Sequence, residues 1–138
     1  MKPNRKSATH LIGALCLTMS IGMAASAEPA LDSNNCIPPA ENIRGNAQRG
    51  QDLHLENCAD CHGYDGRAEV IVMHMDEAPH DQTDVEYMKT LNDAFLYLAI
   101  CSGGEAVGRS LVMPFWGDVL SDQDIRDLVA WIRTFSAT

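Results

Sequence analysis

Apolar residues near the end of the chain recur every three or four positions, which is the spacing of an amphipathic helix. Ser121 precedes this stretch and is a preferred N-cap residue, and the acidic Asp122 and Asp124 suit the positive end of a helix dipole. The pattern therefore predicts a helix after Ser121 with one apolar face toward the core. Its inward residues would be Ile125, Leu128, Val129, Ile132 and Phe135.

Three further helices are predicted upstream from the same kind of pattern. Asn46 and Asn92 are suited to cap two of them, and Thr83 with Glu86 forms a capping-box signature for a short third helix. The paired glycines at 103 and 104 predict the end of the helix that Asn92 begins. The inward residues would be Ala47, Gly50, His54 and Cys58 in the first helix, Val85, Met88 and Leu91 in the short one, and Phe95, Leu98 and Ala99 in the next.

Little of the sequence resembles a β-strand. Residues 70–73 are the only candidate, and a stretch so short cannot build a sheet. The segments 63–82 and 102–120 are predicted to be loops, and ordered loops of this length usually wrap something. The fold class expected is therefore all-α, with long loops.

The N-terminus has the three parts of a secretory signal peptide. Lys2, Arg5 and Lys6 precede an apolar stretch over residues 11–25, and the small residues ending at Ala27 form a cleavage site. The apolar stretch is shorter than the roughly 20 residues of a membrane-spanning helix. We therefore predict a signal peptide at 1–27, an irregular leader at 28–44 and one domain at 45–138, with a periplasmic location and no membrane span after cleavage.

The net charge of the chain indicates which kinds of partner it can have. The whole chain has a net charge of −9, and the mature part reaches −12, because the first 27 residues contain three basic and no acidic residues. Such a charge disfavours nucleic acid as a partner.

Four cysteines lie outside the signal peptide. Two of them, Cys58 and Cys61, belong to a motif, and the other two, Cys36 and Cys101, are an even number in an oxidising compartment. A disulfide between Cys36 and Cys101 is therefore a hypothesis. The alternative is two unpaired cysteines, with Cys101 buried on a helix face.

The segment Cys58-Ala59-Asp60-Cys61-His62 carries the most specific chemistry. Its spacing lets two thiols on one turn reach the two vinyl groups of a haem, while the histidine that follows points at the iron. A redox dithiol would need a βαβ setting, and structural zinc would need four ligands. Neither accompanies this motif, so one covalently attached haem c is expected, held by Cys58 and Cys61, with His62 as an iron ligand.

The motif and its surroundings resemble those of class I c-type cytochromes over roughly residues 45–135. The resemblance rests on Gly50, on residues 58–63, on Met113-Pro114 and on the terminal stretch LSDQDIRDLVAWIRTF. It implies a small cytochrome c fold in which the first and last helices cross beside the haem, with Gly50 against Leu128 and Trp131. It also implies Met113 as the second axial ligand.

Several points of the site stay open. Met73, His74, Met75 and Met88 are rivals of Met113 for the iron, whereas His54 and His80 are interpreted as ordinary polar or interface histidines. His54 stands where the family usually has an aromatic residue.

The family often has a proline soon after the motif, near a carbonyl that accepts a hydrogen bond from the ligand histidine. Residues 66–69 lack it, so the acceptor for His62 is undetermined.

The function this resemblance implies is electron transfer rather than catalysis. We expect a periplasmic one-electron carrier between a dehydrogenase or membrane complex and a terminal reductase or oxidase. The acidic surface predicts redox partners with a basic docking face, and Arg109 either neutralises a haem propionate or lies in solvent. The alternatives are a haem-based gas binder or sensor, and an electron-transfer subunit of a larger oxidoreductase.

Overall fold

The computed structural model describes residues 36–39, 43–69 and 75–137, and all regular structure within these ranges is helical. The expected all-α class is confirmed. Within these ranges no helix is both long enough and apolar enough to cross a membrane. The predicted signal peptide, most of the leader and the strand-like residues 70–73 lie outside the described residues. The helices are α1 (Ala47–Asn57), α2 (Ala59–His62), α3 (Val85–Met88), α4 (Asp93–Ala106) and α5 (Asp122–Phe135).

Helices α1 and α5 pack closely together, as the resemblance implied. A Cβ atom added at Gly50 would lie 2.0 Å from the carbonyl oxygen of Asp127 and 2.9 Å from Cβ of Trp131. Only a glycine fits at such a distance, because its neighbours are mostly backbone atoms. Trp131 is thus a partner of Gly50 as expected, while the nearest atoms belong to Asp127 rather than Leu128.

A buried carboxylate joins the start of α1 to α5. Asp127 is only 1% exposed, and its Oδ1 accepts hydrogen bonds from the backbone N–H of Asn46 at 2.7 Å and from Nε2 of Gln123 at 2.8 Å. Its Oδ2 accepts from Nη1 of Arg49 at 2.6 Å. Burying a charge is unfavourable unless it is paired and hydrogen-bonded, and these contacts meet that requirement. They hold α5 in one position along α1.

Three of the four predicted helix caps are confirmed. The side chain of Asn46 accepts from the first-turn N–H groups of α1, that of Asn92 accepts from Phe95, and Ser121 forms a capping box with Asp124. The predicted cap at Thr83 is wrong.

Asp84 caps α3 instead, accepting a hydrogen bond from the N–H of Tyr87 at 3.1 Å. The side chain of Thr83 is directed to Asp81 instead, and its hydroxyl and N–H both donate to Oδ1 of Asp81 at 2.7 Å. The helix therefore begins one residue later than predicted.

The predicted inward face of α4 is also wrong, by about one residue. Phe95, Leu98 and Ala99 are only half-buried. Phe95 and Ala99 line a cavity, and Phe95 also packs against the edge of the core. Gly103 interrupts the helix with a φ of +83°, but a further turn continues to Ala106, so the following loop starts later than residue 102. The apolar residues that α4 buries are Leu96, Tyr97, Ile100 and Cys101.

The apolar face of α5 is largely as predicted. Ile125, Leu128 and Val129 are at most 1% exposed and Ile132 is 6% exposed, and all four belong to the core. Phe135 is half-buried, and its ring lies against Gly66, where a Cβ atom would approach within 2.7 Å. The end of α5 therefore also contacts the segment that follows the cysteine motif.

The hypothesis of a Cys36–Cys101 disulfide is confirmed. The bridge joins residues 65 apart in sequence, with a Cα–Cα distance of 5.8 Å. It ties the described part of the leader to α4. The N–H of Gly117 donates to the carbonyl of Cys101 at 2.9 Å, so the bridge also adjoins the loop between α4 and α5.

Candidate haem site

The predicted site residues meet in one cavity of about 350 Å³. Cys58, Cys61 and His62 line it from the end of α1 and from α2, and Met113 lines it from the loop before α5. Most of the remaining walls are apolar, as is typical of a site for a large apolar ligand. The apolar lining residues include Met88, Leu91, Phe95, Leu96, Ala99, Ile100 and Trp116.

The backbone of the motif forms one tight turn. The carbonyl of Cys58 accepts from the N–H of Cys61 at 3.1 Å and from the N–H of His62 at 2.9 Å, so both thiols and the imidazole reach the same cavity. Cys58 is half-buried and Cys61 exposed, and neither is in a disulfide. Burial, with a smaller effect of Cys61, raises the pKa of the Cys58 thiol to about 11. This thiol is therefore protonated at neutral pH.

The surroundings of His62 keep its imidazole neutral. Burial, with a smaller contribution from His54, lowers its pKa to about 4. The imidazole is therefore uncharged at neutral pH, which is the state that binds a metal. Its Nδ1 lies 3.3 Å from Nε2 of Gln82, so one of the two ring nitrogens faces the glutamine amide.

His54 connects α1 with the end of the motif. It is 1% exposed, and its Nε2–H donates to the carbonyl of Gly63 at 2.9 Å. Its ring meets the ring of Phe135 edge-on, with 5.5 Å between centroids. Burial lowers its pKa, so it is neutral here. The interpretation of His54 as an interface histidine agrees with these contacts.

The loop that carries Met113 is held along the C-terminal half of α4. The carbonyl of Met113 accepts from the N–H of Gly104 at 3.1 Å, and the N–H of Trp116 donates to the carbonyl of Ile100 at 3.0 Å. With the bond from Gly117 to Cys101, these contacts fix the backbone on both sides of Met113. The half-buried Met113 side chain lines the cavity.

Two of the rival methionines reach the same cavity. Met75 and Met88 both line it, and Met88 is only 2% exposed because it is packed in the core. Met73 and His74 lie outside the described residues. The cavity thus brings together three thioethers, of which Met113 is the one in the loop before the last helix.

His80 and Arg109 lie at the edge of the cavity. His80 stacks on Tyr87, with 3.4 Å between ring centroids. The guanidinium of Arg109 lies 5.8 Å from the centroid of Phe95, and the residue is exposed. Arg109 is therefore close enough to the cavity to meet an anionic group at its mouth while keeping its own charge in water.

Two features of the site were not foreseen. Gln82 contacts His62 across 20 positions, and a lone glutamine in a loop carries no sequence signal. The loop that holds Met113 also exposes apolar side chains, with Leu111, Val112 and Phe115 exposed by 74, 60 and 47%. Consecutive apolar residues beside a candidate ligand could have indicated this surface.

The residues present fit haem c. The walls are apolar, the two thiols are unpaired, the imidazole is neutral and a thioether lies in the same cavity. For the zinc alternative, the described residues contain no group of three or more His, Cys, Asp or Glu side chains that could hold a metal ion.

A helical domain whose first and last helices pack together, and whose Cys-x-x-Cys-His motif lines an apolar cavity, is a c-type cytochrome domain of the class I monohaem type. The comparisons agree: the chain belongs to the family described as "Cytochrome C oxidase, cbb3-type, subunit III", whose model matches residues 45–132. A search of curated proteins found no match. A c-type cytochrome domain implies haem c, electron transfer and redox partners.

Proposed function

We propose that this protein is an exported one-electron carrier that holds a single haem c. One observation carries the proposal: two thiols, a neutral imidazole and a thioether from distant segments line one apolar cavity. This set of side chains matches the requirements of a covalently attached haem whose iron has two protein ligands.

The proposed attachment uses Cys58 and Cys61. Each thiol would hold the haem through a thioether bond, formed by adding S–H across one vinyl group with no net change of oxidation state. Nε2 of His62 and the sulfur of Met113 would bind its iron. The bound haem would supply an iron that alternates between the ferric and ferrous states.

The protein's own residues would set how readily that iron changes state. A thioether ligand such as Met113 favours the ferrous form and raises the reduction potential. The backbone around Met113 is held by hydrogen bonds to α4, which supports a fixed position for its sulfur. Met88 is a weaker candidate, because its side chain is already packed in the core. The apolar walls would keep water from the iron.

The proposed partners are redox proteins with a basic docking face. The charge of −12 expected after removal of the signal peptide supports this, because opposite charges speed the encounter of two proteins. We place the carrier in the periplasm, between a dehydrogenase or membrane complex and a terminal reductase or oxidase. Arg109 is proposed to pair with a haem propionate at the mouth of the cavity.

A second candidate function is that of an electron-transfer subunit in a larger oxidoreductase. The family description names an oxidase subunit, and the exposed Leu111, Val112 and Phe115 would suit a permanent contact beside Met113. The native mass of the protein purified from its own membranes and periplasm distinguishes the two. A monomer supports the carrier, and stable co-purification with other redox subunits supports the complex.

The axial ligand is tested by visible spectroscopy of the haem-loaded protein. The oxidised protein should show the weak long-wavelength band of a sulfur–iron bond, and the ferrous form should resist carbon monoxide. Met113→Ala should abolish the band and lower the reduction potential, whereas the matched variant Met75→Ala should keep both. If the wild type binds carbon monoxide readily, it is a gas binder rather than a carrier. If the band survives Met113→Ala, another methionine is the ligand.

A further inference from the structure

We propose that the side-chain oxygen of Gln82 accepts the hydrogen bond from Nδ1–H of His62 when Nε2 of that imidazole binds iron. Gln82 is thus a positioning residue, which fixes the ring and tunes its strength as a ligand. The inference rests on the proposed function, because it takes His62 as an axial ligand.

The backbone holds Gln82 beside the motif. The N–H of Gln82 donates to the carbonyl of Gly66 at 2.8 Å, and the N–H of Ala68 donates to the carbonyl of His62 at 3.0 Å. The segment after the motif therefore folds back on His62 and carries Gln82 with it. The side chain of Gln82 lines the cavity, and its Nε2 lies 3.3 Å from Nδ1 of His62.

The position of the proton on the imidazole of His62 determines whether its partner must donate or accept a hydrogen bond. A neutral imidazole carries one proton, and a metal on Nε2 leaves that proton on Nδ1, which then needs an acceptor. In the described part of the chain, the partner of Nδ1 is Gln82. The carbonyls of His62, Gly63 and Gly66 accept hydrogen bonds from the N–H of Ala68, the imidazole of His54 and the N–H of Gln82, respectively.

The amide of Gln82 can supply that acceptor by turning over. The nitrogen and oxygen of a glutamine side chain are nearly equivalent in shape, and the hydrogen-bond network decides their orientation. Among the residues that the structure describes, the buried Oε1 has no hydrogen-bond partner. Rotating the amide group of Gln82 by 180° therefore breaks no hydrogen bond of Oε1. The rotation places Oε1 opposite Nδ1 of His62.

The strength of this acceptor should change the reduction potential. Hydrogen bonding to the outer nitrogen makes a ligand histidine more basic, which stabilises the more highly charged ferric iron. Gln82→Glu replaces a neutral acceptor by a carboxylate and should lower the potential. Gln82→Leu removes the acceptor and should raise it. A purely structural role would not make the two variants shift the potential in opposite directions.

The test is a redox titration of the haem-loaded protein at neutral pH. We expect each variant to change the ferric-to-ferrous ratio at a fixed potential by about tenfold, which is 59 mV for a one-electron couple. Gln48→Glu, at an exposed position on α1, adds the same charge far from the cavity and should leave the potential unchanged. Gln82→Asn shortens the side chain, so it should shift the potential in the direction of Gln82→Leu even if the leucine variant fails to fold.

The outcomes separate the two proposals. If the wild-type protein contains no haem, the proposed function is wrong, and the Gln82 variants are not needed to show it. If haem is present but the Gln82 variants keep the wild-type potential, or all shift it in one direction, the inference about Gln82 is overturned alone. Opposite shifts for Gln82→Glu and for the variants without the acceptor support it.

Discussion

Replacing Gly50 by alanine tests the contact between α1 and α5 on which the fold depends. The added Cβ would lie 2.0 Å from the carbonyl oxygen of Asp127, whereas carbon and oxygen normally approach no closer than about 3.3 Å. The two helices would have to separate locally by about 1 Å or more. No rotamer change relieves the clash, because the atom it meets belongs to the backbone.

The expected cost outweighs the better helix propensity of alanine. Exchanging glycine for alanine inside a helix gains about 1 kcal/mol. Overpacking costs about 1–3 kcal/mol or more, and separation of the helices would also weaken the bonds of the buried Asp127 carboxylate, whose loss of partners costs about 3–5 kcal/mol. We expect a net destabilisation of about 3 kcal/mol, which corresponds to a fall in Tm of about 12 °C for a domain of this size.

The assay is urea unfolding of the haem-loaded protein, followed by circular dichroism. A lower midpoint with an unchanged slope would report a loss of stability rather than a change in the unfolded state. Asp52→Ala, at an exposed position on the same helix, is the control and should stay within about 0.5 kcal/mol of the wild type. A Gly50→Ala variant as stable as the wild type would contradict the close packing of α1 on α5.

Two other predictions concern the disulfide and the docking surface. Cys36→Ala should reduce stability by up to about 4 kcal/mol, because the bridge closes a loop of 65 residues. Peptide mapping without reductant should recover Cys36 and Cys101 linked in the wild type, and free thiols at both positions would contradict the bridge. Electron transfer to a small basic redox protein should slow as ionic strength rises, because salt screens the attraction of exposed charges. A rate indifferent to salt would indicate apolar docking at the exposed residues around Met113.

The features that the sequence predicted correctly depend on local patterns. A cap at Asn46, Asn92 or Ser121 involves residues within three positions, and these were all found. The cap before α3 was misplaced because Thr83 and Asp84 can both serve, and a contact of Thr83 with Asp81 decides between them.

The features that were missed depend on contacts between distant segments. The inward face of α4 was misassigned because this helix contacts both the core and the cavity, so its apolar residues do not mark a single inward face. The contact between Gln82 and His62 spans 20 positions and involves a residue type with no distinctive role. In contrast, the cysteine motif could be interpreted from sequence because its chemistry requires a fixed local spacing.

The most direct test of the account is whether haem stays with the polypeptide. The mature protein is denatured in acid and extracted with organic solvent, and its intact mass is measured. We expect the colour to remain with the protein and the mass to exceed the polypeptide mass by one haem. Replacing both Cys58 and Cys61 by alanine should remove the adduct. Haem in the organic phase, or a wild-type mass without an adduct, would contradict covalent attachment.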